Sequence, residues 1–299
     1  MAAHGKLKGV IAAIATPIHE NGAPDIERII KLARYLLDNG CDALNVLGTT
    51  GEATSFSLEE RKAVMSAFKA QGLPMDRLMV GTGAAATADA VALTKHAAEL
   101  GFSGALVLPP FYYKGVPDDG LVNYIDIIIK ATADKTVPIY LYHIPQTSAV
   151  AWPIPLVDRL IKTYKGRVVG LKDSSGDMAY SRAAAALSSD FAVFPSTEAA
   201  LLEGRDGKFA GCISATTNLN ADLCSVALKN NDQALLDRAV TIRKLFDGKP
   251  LVPGVKALLA HIHGDPALAR VKPPFVAYSA ADRAAAIAGH DAVRAKKVA

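Results

Sequence analysis

Cysteine is scarce in this chain of 299 residues, which contains only Cys41, Cys212 and Cys224. No two of them form a CxxC pair, so neither a structural zinc site nor a redox motif is expected. An odd, sparse set of cysteines in a chain of this length is typical of a reducing compartment. We therefore predict a cytoplasmic protein without a metal site.

Long hydrophobic runs are missing as well. The first apolar run, at residues 10–15, is too short for a signal peptide or a membrane span. We interpret this run as a strand, and we predict that the protein does not bind membranes.

No large excess of one charge is present, since 33 basic and 29 acidic residues leave a formal net charge of +4. The one basic cluster, Arg294, Lys296 and Lys297, is interpreted as a solvated tail rather than a surface for nucleic acid. Aromatic residues make up only 6% of the chain, whereas apolar residues make up 51%. This composition favours a large core with close packing between helices and a sheet.

Short apolar runs alternate with longer segments of helical periodicity. Strands are predicted at residues 10–15, 43–46, 78–80, 105–108, 138–142, 168–172, 191–194 and 211–214. Helices are predicted at residues 26–39, 58–70, 87–100 and 117–133. Short buried strands that alternate with helices predict parallel β–α–β units.

Eight such units predict an α/β fold of the (β/α)8 TIM-barrel type, for which about 250 residues are typical. We assign residues 1–230 to the barrel and residues 231–299 to a C-terminal extension, with helices at 233–246, 255–263 and 280–292. The alternative is a doubly wound open sheet. That fold needs a glycine-rich turn after its first strand, where this chain has Ala15, Thr16 and Pro17.

Polar side chains follow the predicted strands at their carboxyl ends, where TIM barrels carry their active sites. Lys172 is the most informative of them, because four apolar or small residues lead directly into it. An amine that is desolvated in an apolar barrel acts as a nucleophile toward carbonyl compounds and forms a Schiff base. An ion pair between Lys172 and Asp173 is the alternative interpretation.

Two further strand ends carry hydroxyl groups. Thr49 and Thr50 lie in the sequence GTTGE at residues 48–52, and the backbone N–H groups of such a turn can bind a carboxylate. Tyr142 ends an apolar strand, where it suits either packing or proton transfer. By contrast, His261 and His263 are two residues apart in the C-terminal helices, and we interpret them as structural.

Together these residues resemble a family of pyruvate-dependent class I lyases. The family includes dihydrodipicolinate synthase, N-acetylneuraminate lyase and 2-keto-3-deoxy-sugar-acid aldolases. The resemblance covers nearly the whole chain and depends on five motifs in a fixed order. They are GTTGE at 48–52, PFYY at 110–113, YHIP at 142–145, GLKD at 170–173 and GCIS at 211–214.

The resemblance implies that Lys172 forms an imine with pyruvate or with a 2-keto acid that ends in a pyruvate unit. Tyr142 would relay protons, while Thr49 and Thr50, beside Gly48, would bind the pyruvate carboxylate. No cofactor is implied, because a protonated imine itself withdraws electrons from the neighbouring carbon.

The resemblance also implies a homotetramer built from two dimers. Tyr112 would reach into the site of a neighbouring subunit, where Thr49 links it to Tyr142. The backbone carbonyl of Ile213 would lie near the imine.

The choice of substrate depends on residues around this shared centre. Dihydrodipicolinate synthase has an arginine shortly after the tyrosine of its fifth strand, and its place here falls on Thr147. Ser174, Glu198 and Ser214 match positions near the substrate hydroxyls in the neuraminate lyases. We therefore predict an aldolase for a 2-keto-3-deoxy sugar acid or a sialic-acid-like compound. Dihydrodipicolinate synthase and a dehydratase of the same family are the alternatives.

Two other classes of protein fit the barrel less well. A non-catalytic protein that binds keto acids would be expected to lose some of Lys172, Tyr142 and the two threonines. A barrel that binds phosphorylated sugars would need a glycine-rich turn after strands seven and eight, and Glu198 lies there instead.

Overall fold

The computed structural model describes residues 7–295, which form a barrel of eight parallel strands surrounded by helices. The strands are β1 (Gly9–Ala13), β2 (Ala43–Val46), β3 (Leu78–Gly81), β4 (Gly104–Val107), β5 (Ile139–His143), β6 (Val168–Asp173), β7 (Ala192–Pro195) and β8 (Gly211–Ser214). Nearly all of their residues are buried, as expected for strands covered on both faces. The predicted TIM barrel is confirmed.

Strands β1 to β7 pair in parallel in chain order, and β1 also pairs with β8. Between β7 and β8, the N–H of Ala210 donates to the carbonyl of Val193 at 2.9 Å, which brings the two ends of the sheet together. All eight strands therefore direct their carboxyl ends to the same mouth of the barrel.

Alternate strand residues fill the inside of the barrel. This interior cluster contains Ile11, Ala13, Ala43, Met79, Leu106, Tyr140, Tyr142, Ala192, Phe194 and Ile213. Lys172 pairs in register with Tyr142 on one side and Phe194 on the other, so its side chain belongs to the same interior set. Successive side chains of a strand point to opposite faces, so Asp173 lies on the outside, toward the helices.

The helices are α1 (Ile26–Asp38), α2 (Leu58–Ala70), α3 (Thr87–Leu100), α4 (Asp118–Ala131), α5 (Pro145–Ser148), α6 (Ile154–Thr163), α7 (Met178–Ala185), α8 (Thr217–Asn230), α9 (Gln233–Lys244), α10 (Leu251–His263) and α11 (Ala280–Ala295). Helix α2 begins with a complete capping box between Ser57 and Glu60. The predicted start of the C-terminal extension at residue 231 follows the last residue of α8, and this boundary stays a prediction.

Two segments depart from the predicted pattern. After β7 the chain forms only short 3-10 turns, Glu198–Ala200 and Leu202–Asp206, instead of a full helix. Helix α10 begins at Leu251, earlier than predicted, and Pro253 is tolerated in its first turn, where N–H groups have no partner within the helix.

The end of the described chain is held by the barrel helices. Arg294 donates to the Asp222 carboxylate at 2.6 Å and to the carbonyl of Leu219 at 2.6 Å, so it does not belong to a freely solvated tail. Lys296 and Lys297, the other members of the basic cluster, lie outside the described residues. Within residues 7–295, none of the helices combines the length and the apolar character that a membrane span requires.

Candidate active site

A lysine and a tyrosine meet at the carboxyl end of the barrel interior. Lys172 donates a hydrogen bond to the hydroxyl of Tyr142 at 3.3 Å, and its Nζ lies 4.4 Å from the centre of the tyrosine ring. Both side chains are only 3% exposed. The contact follows from the pairing of β5 with β6, which places the two residues directly beside each other.

The alternative ion pair between Lys172 and Asp173 is absent. The Asp173 carboxylate accepts hydrogen bonds from the Ser181 hydroxyl at 2.6 Å and from the N–H of Ser175 at 2.8 Å, on the outer face of β6. Among residues 7–295, no carboxylate lies within ion-pairing distance of Lys172. The amine is therefore buried beside a phenol and not neutralised by an acid.

The threonine turn at residues 48–52 adds a third group to this pair. The Thr49 hydroxyl lies 3.1 Å from the Tyr142 hydroxyl, within hydrogen-bonding distance. The turn itself is closed by the N–H of Glu52, which donates to the carbonyl of Thr49 at 3.0 Å. At Gly48 an added Cβ would lie 2.5 Å from the end of the Asn45 side chain, so a larger residue would require Asn45 to move.

The surroundings of Tyr142 favour its ionised form. Burial raises the pKa of the phenol, but the ammonium of Lys172 and hydrogen bonds from Thr49 and Ser174 outweigh it, so the pKa lies below the usual value for tyrosine. Such a phenol loses its proton at a lower pH than an ordinary tyrosine. It is therefore suited to accept and return protons during catalysis.

Replacing Thr49 with valine is expected to shift the pH dependence of the reaction. The substitution removes a hydrogen bond that stabilises the phenolate, so the pKa of Tyr142 rises. If the phenolate accepts a proton in the slow step, the rising limb of kcat/KM then moves to higher pH. The shift is measured from full pH–rate profiles of the two enzymes.

The matched control is Thr50→Val in the same turn, because no hydrogen bond joins Thr50 to Tyr142. This variant is expected to leave the rising limb in place. An unchanged limb in Thr49→Val would show that Thr49 does not set the ionisation of Tyr142.

Glu198 and Ser214 lie close together but are not directed into the barrel. Glu198 is completely buried, and its carboxylate accepts hydrogen bonds from Ser214 at 3.0 Å, from Thr216 and from Asn220 at 3.3 Å. Arg243 of α9 also donates to it at 3.4 Å. The carboxylate is thus already surrounded by donors of its own chain, and the predicted contact with substrate hydroxyls stays a prediction.

The remaining predicted residues have different positions. Ile213 is buried in the barrel interior on β8, and Ser174 directly follows β6, where it contributes to the lowered pKa of Tyr142. Thr147 is exposed on the short helix α5. Tyr112 is 74% exposed and packs edge-on against Tyr113, so it does not contact Tyr142 of its own subunit. The roles of these four residues stay predictions.

The sequence analysis missed a buried ion pair beside the threonine turn. Glu52 ends the turn, and Lys256 of α10 donates to its carboxylate, with both side chains completely buried. Removing one partner of a buried pair typically costs about 3–5 kcal/mol, because the other charge stays buried and uncompensated. A lysine inside the otherwise apolar run VPGVKALLA at residues 252–260 was the available signal.

The histidines of α10 lie away from this centre. His261 hydrogen-bonds to Asp291 of α11 at 3.1 Å, and Asp291 also contacts His290 at 3.0 Å. His263 packs edge-on against Tyr35 of α1. These contacts join the extension to itself and to the helix layer.

Known proteins with a similar sequence belong to one family. The model of the dihydrodipicolinate synthetase family matches residues 6–288. A DapA-like lyase of Chloroflexus aurantiacus is 31% identical over 259 residues, which cover 84% of this chain and 86% of the relative.

Solved structures support the same assignment. Dihydrodipicolinate synthase of Agrobacterium tumefaciens is 32% identical and has a TM-score of 0.88, covering 95% of this chain and 99% of its own. A variant of 2-keto-3-deoxygluconate aldolase of Sulfolobus solfataricus shares the fold with a TM-score of 0.86 at 19% identity, with 96% of each chain covered. The chain therefore belongs to the dihydrodipicolinate synthetase family and is a lyase of the aldolase type.

Proposed function

We propose that the protein forms a Schiff base between Lys172 and the keto group of pyruvate or of a 2-keto acid that ends in a pyruvate unit. The observation that carries this proposal is the buried Lys172 amine, which lies 3.3 Å from the Tyr142 hydroxyl and has no carboxylate partner among residues 7–295. A desolvated amine of this kind is the nucleophile that imine formation requires.

Cleavage then follows from the chemistry of the imine. The amine of Lys172 adds to the keto carbon, and the keto oxygen leaves as water. In the protonated imine, the bond between C3 and C4 breaks, its electrons move toward the imine nitrogen, and the C4 fragment leaves as an aldehyde. The resulting enamine takes a proton at C3, and water releases pyruvate and restores the amine. These steps need no metal or cofactor.

Tyr142 is the proposed proton relay in these steps. Its hydroxyl lies beside the attacking amine, and its lowered pKa allows it to lose and regain a proton at a lower pH than an ordinary tyrosine. In the cleavage direction, the phenolate accepts the proton from the C4 hydroxyl as the aldehyde forms. Thr49 and Thr50 hold the carboxylate of the pyruvate unit, with Thr49 also fixing the position of the phenol.

We infer that the substrate is a 2-keto-3-deoxy sugar acid or a sialic-acid-like compound. The support is the composition of α5, which follows the tyrosine strand: it carries the exposed, neutral Gln146 and Thr147 and no arginine. A second carboxylate, such as that of aspartate semialdehyde, lacks a bidentate partner there. Condensation with aspartate semialdehyde, the activity that the names of many relatives describe, and dehydration by the same imine are the alternatives.

The proposal extends to a cytoplasmic homotetramer made of two dimers. Tyr112 and Tyr113 are 74% and 73% exposed, which is unusual for large aromatic side chains and suits a contact with a second subunit. A non-catalytic protein that binds keto acids, the alternative from another class, would have no use for the contact between Lys172 and Tyr142.

A panel of substrates tests the choice between these reactions. The enzyme is expected to cleave at least one 2-keto-3-deoxy sugar acid or N-acetylneuraminate. Its kcat/KM for this cleavage should exceed its kcat/KM for condensation of pyruvate with aspartate semialdehyde by about tenfold or more. Cleavage is measured as the release of pyruvate, and condensation is measured in a separate assay as the consumption of pyruvate.

Thr147→Arg is the matched variant for this panel. It adds a guanidinium where a second carboxylate would lie, so kcat/KM for condensation with aspartate semialdehyde is expected to rise by about tenfold. The value for cleavage of 2-keto-3-deoxy sugar acids, which have no second carboxylate, is not expected to rise. A wild-type enzyme that prefers aspartate semialdehyde would overturn the assignment of the substrate.

A further inference from the structure

The Glu52–Lys256 pair joins the C-terminal extension to the threonine turn. Lys256 Nζ donates to the Glu52 carboxylate and to the carbonyl of Thr16 at 3.0 Å, just after β1. The other oxygen of Glu52 accepts the N–H of Lys272 at 2.7 Å, in the segment before α11. Two parts of the extension are therefore fastened to the turn that carries Thr49 and Thr50.

The backbone of the turn explains why such a fastening is useful. Glu52 has φ 54° and ψ 31°, a left-handed conformation that is unfavourable for a residue with a side chain. Strained residues of this kind persist only where the surrounding structure holds them. The N–H of Glu52 closes the turn onto the carbonyl of Thr49, so the position of Glu52 sets the position of both threonines.

A purely structural contact would not require charges at this place. Burying an ammonium and a carboxylate removes both from water, and a well-packed apolar pair of similar volume is often at least as stable. The charged pair instead provides hydrogen bonds of defined direction. Two hydrogen bonds from Lys256 and one to Glu52 fix the angle at which the turn leaves β2.

We propose that Lys256 is a positioning residue that acts through Glu52 to hold the Gly48–Glu52 turn in the form that binds the carboxylate of the keto acid. This proposal rests on the proposed function, since it assigns the same turn to the same carboxylate. It makes the extension part of the binding site, although Lys256 itself touches no reacting atom.

The test is the neutral double variant Glu52→Gln/Lys256→Met, which leaves no uncompensated buried charge. Its KM for pyruvate is expected to rise by about tenfold or more, because the threonines lose their fixed position, while kcat stays within about threefold of wild type. Borohydride trapping of pyruvate on Lys172 should still reach completion, but half-saturation should require a correspondingly higher pyruvate concentration.

Glu52→Asp alone is the second variant, in case the double variant fails to fold. It keeps both charges of the buried pair and only shortens the side chain, so KM should move in the same direction by a smaller factor. The matched control is Lys249→Met, which breaks the exposed ion pair to Asp282 within the extension and should leave KM unchanged.

The outcomes separate the two proposals. A lower melting temperature with an unchanged KM in both Glu52 variants would mean that the pair is only structural, and the positioning role would be wrong. Failure of the wild-type enzyme to trap pyruvate on Lys172 would instead remove the proposed function, whatever the variants do.

Discussion

Replacing Lys172 with methionine is expected to lower kcat by about 10,000-fold or more, because the proposed mechanism depends on an imine at this residue. Methionine fills a similar volume and replaces a buried polar group with an apolar one, so the barrel is expected to stay folded. Turnover is measured as pyruvate release from the best substrate of the panel, together with circular dichroism to verify the fold.

The matched control for this prediction is Lys162→Met on α6. That lysine is 75% exposed in its side chain and pairs with Asp158 on the surface, so its loss is expected to leave kcat unchanged. A folded Lys172→Met enzyme that keeps more than a few per cent of its activity would contradict covalent catalysis at this residue.

Tyr142→Phe is expected to lower kcat by about 100- to 10,000-fold, the usual range for a lost general acid–base group. The ring remains in the barrel interior, and only the hydroxyl that contacts Lys172 and Thr49 is removed. Imine formation should slow as well, because proton transfers to the carbinolamine lose their relay. Single-turnover measurements with pyruvate separate this step from bond cleavage.

Tyr140→Phe provides a closely matched control. Tyr140 lies two residues earlier on the same face of β5 and is 1% exposed. Burial raises its pKa to about 12, so it is not suited to lose a proton near neutral pH. Its variant should retain nearly full activity, and equal losses in the two variants would indicate that packing, not proton relay, explains the role of Tyr142.

The positions of the strands followed closely from the sequence. Strands buried on both faces require continuous apolar runs, and each such run here ends within a few residues of the observed strand. The end of β1 differs from the prediction. This strand ends at Ala13, because the N–H of Ala15 donates to the side chain of Asn218 instead of to a neighbouring strand.

The helices were less predictable where the segments are short. Helix α5 has only four residues, and the chain after β7 forms 3-10 turns around Glu198. Hydrophobic periodicity needs several turns to be recognised, so these segments carry too little pattern. The conformation around Glu198 depends on contacts with α8 and α9, which are distant in the sequence.

Only those parts of the candidate site that depend on the strands could be predicted from the sequence. Lys172 and Tyr142 end adjacent strands, and the register of those strands brings them together. The pair between Glu52 and Lys256 joins residues that are 204 positions apart, and local pattern cannot identify such a partner. The orientation of the Glu198 side chain could not be predicted either, because it depends on hydrogen-bond donors from α8 and α9.

The most direct test of the central claim is reductive trapping. The enzyme is incubated with pyruvate and borohydride, and the modified peptide is located by mass spectrometry. The account predicts one stoichiometric adduct on Lys172, absent from Lys172→Met and unaffected in Lys162→Met. An adduct on another lysine, or none under conditions in which a Schiff-base-forming member of the family traps completely, would contradict it.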